Sequence, residues 1–409
     1  MPSRKKSLIQ PAELDLGGKM AIIPGPEPDL PVPGKGVSAD RGRVIPVCEP
    51  FLNGNEARYV EQCLRTNWIS SAGRFIVDFE REFARVCGAR YGVATTSGTT
   101  ALHLALTIMG VGPGDEVIVP TFTMIASANT VRHTGAWPVL VDSERGTWNM
   151  DAAKIEEKIS DKTKAIMVMH TYGHPCDMDP IQRLADKHGL FVLEDAAEAH
   201  GAEYKGRKIG GLGDAACFSF YANKIITTGE GGMITTNDKE FYEKAANLRD
   251  HSFSRERHFW HKYVAFNFRM TNMAAAVGLA QVEQFDDLVN RRIRHAGRYS
   301  SALKDVEGLT LPPVTEGIKN VFWMYGLLVE EAFGIGRDEL RLRLAQRGIE
   351  TRTFFIPIHL QPVYYNHFEG QEFPVAEALC QKGLYLPSAG GLTDAEIDFV
   401  CQAIRECRG

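Results

Sequence analysis

From residue 91 onward the sequence alternates short apolar runs with longer amphipathic ones. Residues 91–95, 116–119, 137–141, 165–169 and 191–193 read as strands, with helices between them at 99–109, 125–133, 152–159 and 180–188. The strands are apolar at nearly every position, so neither of their faces can meet water. That restricts the fold to an α/β architecture, a parallel sheet covered by helices on both sides. Ligands of such sheets bind beyond the carboxyl ends of the strands. Those ends are where chemistry is to be sought.

The chain has 409 residues, more than one hydrophobic core ordinarily organises. Two helices, over 54–66 and 75–87, precede the alternation. The second carries Ile76, Phe79, Phe83 and Val86 at helical spacing. After about residue 292 the texture changes. A long helix over 271–302, continuous or broken, leads to apolar segments at 309–311 and 321–329 and to helices at 337–347 and 394–405. Residues 44–292 therefore read as a large domain and 293–409 as a smaller α+β domain. Residues 1–43 contain Pro24, Pro26, Pro28, Pro31 and Pro33 among Gly25, Gly34 and Gly36, which resists regular structure. The expectation there is a loosely held extension, with an arm around a neighbouring subunit as the alternative.

The net charge of -5 and the absence of a strongly basic segment speak against a nucleic-acid partner. No apolar run is long enough to cross a bilayer, so no membrane partner is expected. Arg4, Lys5 and Lys6 are not followed by an apolar stretch, so no secretory signal is expected there. The eight cysteines form no CxxC pair and suggest reduced thiols in a cytoplasmic protein.

Three strand ends carry candidate chemistry. Thr95-Thr96-Ser97-Gly98-Thr99-Thr100 joins a strand to a helix, and its backbone N–H groups suit a phosphate, or an ordinary helix cap. Asp195 follows the strand at 191–193, where a carboxylate can equally be a surface group. Lys224 lies five residues after Ser219 and just before the flexible Thr228-Gly229-Glu230-Gly231-Gly232; its bland fate is a solvated surface. Taken together, an anion cradle, an acid and a lysine are what pyridoxal phosphate requires. The acid keeps the pyridine nitrogen protonated, and the lysine reacts with the aldehyde.

The stretches Thr96-Ser97-Gly98-Thr99, Glu194-Asp195-Ala196-Ala197-Glu198-Ala199-His200-Gly201-Ala202 and Ser219-Phe220-Tyr221-Ala222-Asn223-Lys224, with the glycines that follow, resemble the nucleotide-sugar aminotransferases of the DegT/DnrJ/EryC1/StrS family. The resemblance runs from about residue 44 to the C-terminus. It implies a fold-type I pyridoxal phosphate enzyme, with a mostly parallel mixed sheet in the large domain. It assigns Lys224 as the Schiff-base lysine and proton carrier, Asp195 as the pyridine partner, and Glu198 as a neighbour of the ring hydroxyl. Gly98, Thr99 and Ser219 would hold the phosphate. Asn267 would reach the phosphate of a neighbouring subunit, implying a homodimer with shared sites. Met124 stands where many members place an aromatic ring over the cofactor, and a thioether can pack there instead. Because the lysine is retained, the implied reaction is amino transfer from L-glutamate to a nucleotide-linked keto sugar, rather than dehydration.

Residues 170–179 (His170-Thr171-Tyr172-Gly173-His174-Pro175-Cys176-Asp177-Met178-Asp179) and the Tyr-Ala-Asn-Lys form of the lysine motif are similar to the branch of the family that forms GDP-perosamine. This implies amination at C4 of GDP-4-keto-6-deoxy-D-mannose, for a surface polysaccharide. The rivals are UDP- or dTDP-linked keto sugars aminated at C3 or C4, a non-catalytic cofactor-binding regulator, and a metal-dependent hydrolase using His170 and His174. The spacing of those histidines fits no standard zinc pattern, so no metal is expected. His251, His258 and His261, amid Arg255, Arg257 and Lys262, form a basic cluster suited to a diphosphate. His359 and Trp68 are candidate substrate contacts, His103 a packing residue, and Trp323 and Tyr325 belong to the smaller domain. The glycine-rich stretches at 110–114 and 210–213 precede strands, which excludes a dinucleotide fingerprint.

Overall fold

The computed structural model describes residues 19, 22–25, 44–254, 256–257 and 259–408. Most of the expected extension, together with Arg255 and His258, lies outside the described residues. The chain opens with α1 (Glu56–Thr66) and α2 (Arg74–Val86), then alternates β1 (Tyr91–Thr95), α3 (Gly98–Ile108), β2 (Glu116–Pro120), α4 (Ala126–His133) and β3 (Trp137–Val141). Next come β4 (Thr163–Met169), α5 (Met178–His188), β5 (Phe191–Asp195), a small hairpin of β6 (Glu203–Tyr204) and β7 (Arg207–Lys208), and β8 (Ala215–Ser219). β9 (Gly232–Thr236), α6 (Lys239–Leu248), α7 (Asn272–Val282) and α8 (Phe285–Leu303) complete this part.

Seven strands form one sheet in the order β1-β9-β8-β5-β4-β2-β3. β3, β2, β4, β5 and β8 run parallel. β9 alone is antiparallel to its neighbours, β1 and β8, so the sheet is mixed. Ala165, Ile166, Met167, Val168 and Met169 of β4 are all buried, which is why an uninterrupted apolar run suits a central strand. Gly232 pairs with Thr95 on one side and Ser219 on the other. One residue thus ties together two of the three candidate strand ends.

The remainder adds β10 (Leu309–Thr310), β11 (Ile318–Lys319), β12 (Tyr325–Val329), α9 (Arg337–Gln346), β13 (Arg352–Thr353), α10 (Pro374–Lys382), β14 (Gly383–Leu386) and α11 (Asp394–Cys407). A second sheet has the order β10-β12-β14-β13. Its core gathers Tyr299, Leu327, Leu340, Leu384 and Ile397. The first half of α8 packs into the larger core through Phe285, Leu288 and Val289, and the second half into the smaller through Ala296, Tyr299 and Leu303.

One sequence expectation needs correction. Residues 152–159 form two 3-10 turns, Ala152–Lys154 and Glu156–Lys158, instead of one helix. Ile155 is their only buried side chain, so no apolar stripe favours the α-helical pitch. The long helix over 271–302 is broken at Glu283 and Gln284, where nearly uniform burial in α7 gives way to the one-sided burial of α8.

Candidate active site

β5 delivers Asp195 to the carboxyl edge of the sheet, level with Met169 of β4 and Cys217 of β8. The carboxylate is buried. Ser127, in the first turn of α4, donates its hydroxyl to Asp195 Oδ2 at 2.8 Å, and the Ala197 N–H donates to Oδ1 at 3.2 Å. Burial pushes the Asp195 pKa up, and these two donors pull it back. A buried carboxylate is best satisfied by a further charged N–H donor. A protonated pyridine nitrogen is such a donor.

Beyond β8 the chain turns tightly, with the Lys224 N–H donating to the Tyr221 carbonyl at 2.9 Å. Trp323, from the loop before β12, fixes this turn from the far side. Its Nε1–H donates to the Asn223 carbonyl at 2.9 Å, and Lys224 Nζ lies 3.7 Å from its ring centroid. Lys224 Nζ also lies 3.7 Å from Glu198 Oε1. The other oxygen of Glu198 accepts the Tyr172 N–H at 2.9 Å. Tyr172 has φ +52 inside a 3-10 turn, and its ring lies in a stack with Trp323 and Phe355. Burial lowers the Lys224 pKa, opposed by the carboxylates of Glu198 and Asp195, and burial raises that of Glu198. Both shifts bring the amine toward its neutral, nucleophilic form.

The third strand end forms the cradle. Ser97 caps α3 by accepting the Thr100 N–H at 3.1 Å, and Thr100 Oγ1 accepts the Ser97 N–H at 3.0 Å. This capping box leaves the Gly98 and Thr99 N–H groups at the positive end of the helix, free of the intrahelical ladder. A Cβ at Gly98 would lie 2.9 Å from the Ser219 Cβ, so the glycine lets the helix end approach Ser219. Anion cradle, buried acid and desolvated lysine therefore share one edge of one sheet. These residues fit pyridoxal phosphate.

The other sequence candidates are placed as follows. Met124 is half-exposed between β2 and α4. Asn267 is exposed and accepts from Arg269 Nε at 2.9 Å, in a segment whose Phe268 carbonyl accepts the Thr96 N–H at 3.0 Å. Trp68 is exposed between α1 and α2, its carbonyl held by Asn272 Nδ2 at 2.7 Å. His359 is buried, with Nδ1 2.7 Å from Thr121 Oγ1 and Nε2 3.1 Å from Glu377 Oε1. Both ring nitrogens are thus engaged within the protein. His170 is buried against Glu194 at 3.2 Å, and its Nδ1 accepts the Cys176 N–H at 3.1 Å. His174 Nε2 lies 3.1 Å from Thr315 Oγ1. His261 Nδ1 lies 2.7 Å from the His251 carbonyl.

Sequence reasoning missed Ser127 and Tyr172 and gave Trp323 no role. Ser127 had a signal, a hydroxyl between Ala126 and Ala128 just after a strand end. Tyr172 and Trp323 act through contacts made only by folding.

A model of the DegT/DnrJ/EryC1/StrS aminotransferase family matches residues 50–405. GDP-perosamine synthase of Caulobacter vibrioides is 51% identical over 361 residues, 88% of this chain and 97% of that one. GDP-perosamine synthase of Escherichia coli O157:H7 is 44% identical, covering 89% and 98%. Among solved structures, DesV of S. venezuelae, in complex with a ketimine intermediate, superposes with a TM-score of 0.81 at 38% identity, covering 86% of this chain and 94% of that one. The PMP-form of Spr1654, a putative sugar aminotransferase of Streptococcus pneumoniae, gives 0.84 at 29% identity, covering 89% and 98%.

Proposed function

The chain belongs to the DegT/DnrJ/EryC1/StrS aminotransferase family, and on that premise we propose that it moves the amino group of L-glutamate to C4 of GDP-4-keto-6-deoxy-D-mannose, forming GDP-perosamine. The similarity to two GDP-perosamine synthases supports the choice of nucleotide and sugar. The observation that carries the chemistry is the setting of Lys224, a partly buried amine held between the Trp323 ring and the Glu198 carboxylate. Pyridoxal phosphate, when bound, supplies an aldehyde that condenses with amines and a ring that accepts electron density.

The chain's own residues do the rest. Gly98, Thr99 and Ser219 would hold the phosphate. Asp195, kept in place by Ser127, would hold a proton at the ring nitrogen. Glu198 and Met124 would serve the ring. The Lys224 amine would anchor the aldehyde and, when free, carry the proton to and from the substrate carbon at its Nζ. Asn267 serves the phosphate of the partner in a homodimer, and Trp68 lies at the sugar's edge. His359, with both nitrogens engaged, braces the Ile358–Leu360 turn. We place the enzyme in the cytoplasm, feeding surface-polysaccharide synthesis.

The test is a panel of GDP-, UDP- and dTDP-linked keto sugars with L-glutamate, read by product mass. The GDP-linked 4-keto sugar should give the amino sugar and 2-oxoglutarate. Strong product from a UDP- or dTDP-linked sugar with none from the GDP-linked one would overturn the substrate. Borohydride reduction followed by peptide mapping should leave the pyridoxyl mass on Lys224, and its appearance elsewhere would overturn the anchor.

A further inference from the structure

Of the eight cysteines, seven are buried and only Cys48 has access to solvent. Cys48 lies beside the site just described. Its Sγ donates to the Asn223 carbonyl at 3.3 Å, next in sequence to Lys224, and more weakly to the Glu49 carbonyl at 4.0 Å. Arg292 NH2 approaches the same sulfur at 3.4 Å.

Two residues that touch this sulfur each carry a buried polar atom with no partner among the described residues. Arg292 is only 4% exposed, and its NH1 has no acceptor among the described residues. The Asn223 Oδ1 is likewise buried without a donor. A buried guanidinium N–H without an acceptor and a buried amide oxygen without a donor are each costly. Both belong to residues that already touch Sγ. A sulfenic acid there would match both, since its oxygen can accept from Arg292 and its hydroxyl can donate to Asn223. A partly exposed thiol beside an arginine is also the usual setting of a reactive cysteine.

We propose that Cys48 is a peroxide-reactive thiol whose sulfenic form is held by Arg292 and Asn223, and that its oxidation reaches Lys224 through the Asn223 carbonyl. The sulfur attacks one peroxide oxygen; an S–O bond forms and the O–O bond breaks. Sulfur is oxidised by two electrons, the peroxide is reduced, and the thiol proton leaves in water. The thiol's donation to the Asn223 carbonyl is exchanged for the sulfenic hydroxyl's donation to the Asn223 side chain, so the carbonyl in the turn that presents Lys224 keeps only the Trp323 N–H as a side-chain hold.

The test uses the holoenzyme treated with hydrogen peroxide and dimedone, then catalase, before peptide mass mapping and assay. The dimedone adduct should be about tenfold more abundant on Cys48 than on any other cysteine. Without dimedone, amino transfer should fall several-fold and recover with dithiothreitol, and Cys48→Ala should keep its own untreated rate. An adduct confined to other cysteines would overturn the proposal, as would equal inactivation of parent and Cys48→Ala. The adduct is read without any assay, so it stands apart from the proposed reaction. Arg292→Gln should lower Cys48 labelling in the folded variant; if that variant does not fold, the parent's adduct map still decides.

Discussion

Trp323 touches Lys224 through its indole face and holds the preceding residue through the Asn223 carbonyl. Trp323→Phe keeps a ring and loses the N–H donor, worth about 0.5–1.5 kcal/mol, so single-turnover amino transfer should slow up to about tenfold. Trp323→Leu also loses the aromatic face, worth about 0.5–2 kcal/mol, and should slow it by about 5–400-fold in all. An unchanged rate in Trp323→Leu would remove Trp323 from the positioning of Lys224. Ser127→Ala takes a hydroxyl from a buried carboxylate, about 1.5–3 kcal/mol. Spectrophotometric titration of cofactor should show affinity weakened about 10–100-fold; parental affinity would argue that Ser127 does not support Asp195. Lys224 and Asp195 were legible in the sequence because each follows an apolar strand, where the fold itself points to ligands. Trp323 and Tyr172 were not, because their roles come from contacts across the fold and, for Tyr172, from a left-handed backbone that no local pattern announces.

β9 is where element geometry and site geometry meet. A Cβ at Gly232 would lie 2.2 Å from the Ser97 carbonyl oxygen, which is backbone and cannot swing aside. Gly232→Ala should therefore destabilise the protein by about 1–3 kcal/mol and displace the start of α3. Urea unfolding and cofactor titration should both show a loss; parental values in both would mean that the cradle tolerates a shift of β9. The strands and most helices were legible because burial on two faces writes itself as unbroken apolar runs. The antiparallel sense of β9 was not, since pairing direction leaves no mark on composition. Residues 152–159 misled for the opposite reason: their composition suits a helix, but only Ile155 packs.

Four buried histidines make the whole molecule sensitive to acid. Burial lowers the pKa of His174, His295 and His359 to about 4 and of His200 to about 3. Each stays neutral in the fold while the unfolded chain takes up a proton below about 6.5. Their contribution to stability is complete above that pH and is lost as pH falls toward the folded values. By pH 5 the loss should be on the order of 1–2 kcal/mol for each histidine. Glu198, raised by burial, works in the opposite sense. The urea midpoint should drop between pH 7 and pH 5, and a flat profile would contradict the burial of these rings. If sites are shared between subunits, Lys224→Ala and Asn267→Ala should complement each other. Subunit exchange at equal amounts would restore about a quarter of parental activity, whereas no recovery would argue for self-contained sites. The edge position of β1 has a consequence of timing. Its partner in the sheet is β9, which the ribosome makes much later, after roughly seven to thirty further seconds at about 5–20 residues per second. Until then β1 has no strand to bind, and the helix end it carries has no fixed place. The nascent chain thus exposes an unpaired apolar strand through most of the synthesis of its large domain, an interval in which chaperones rather than cofactor would be its first visitors.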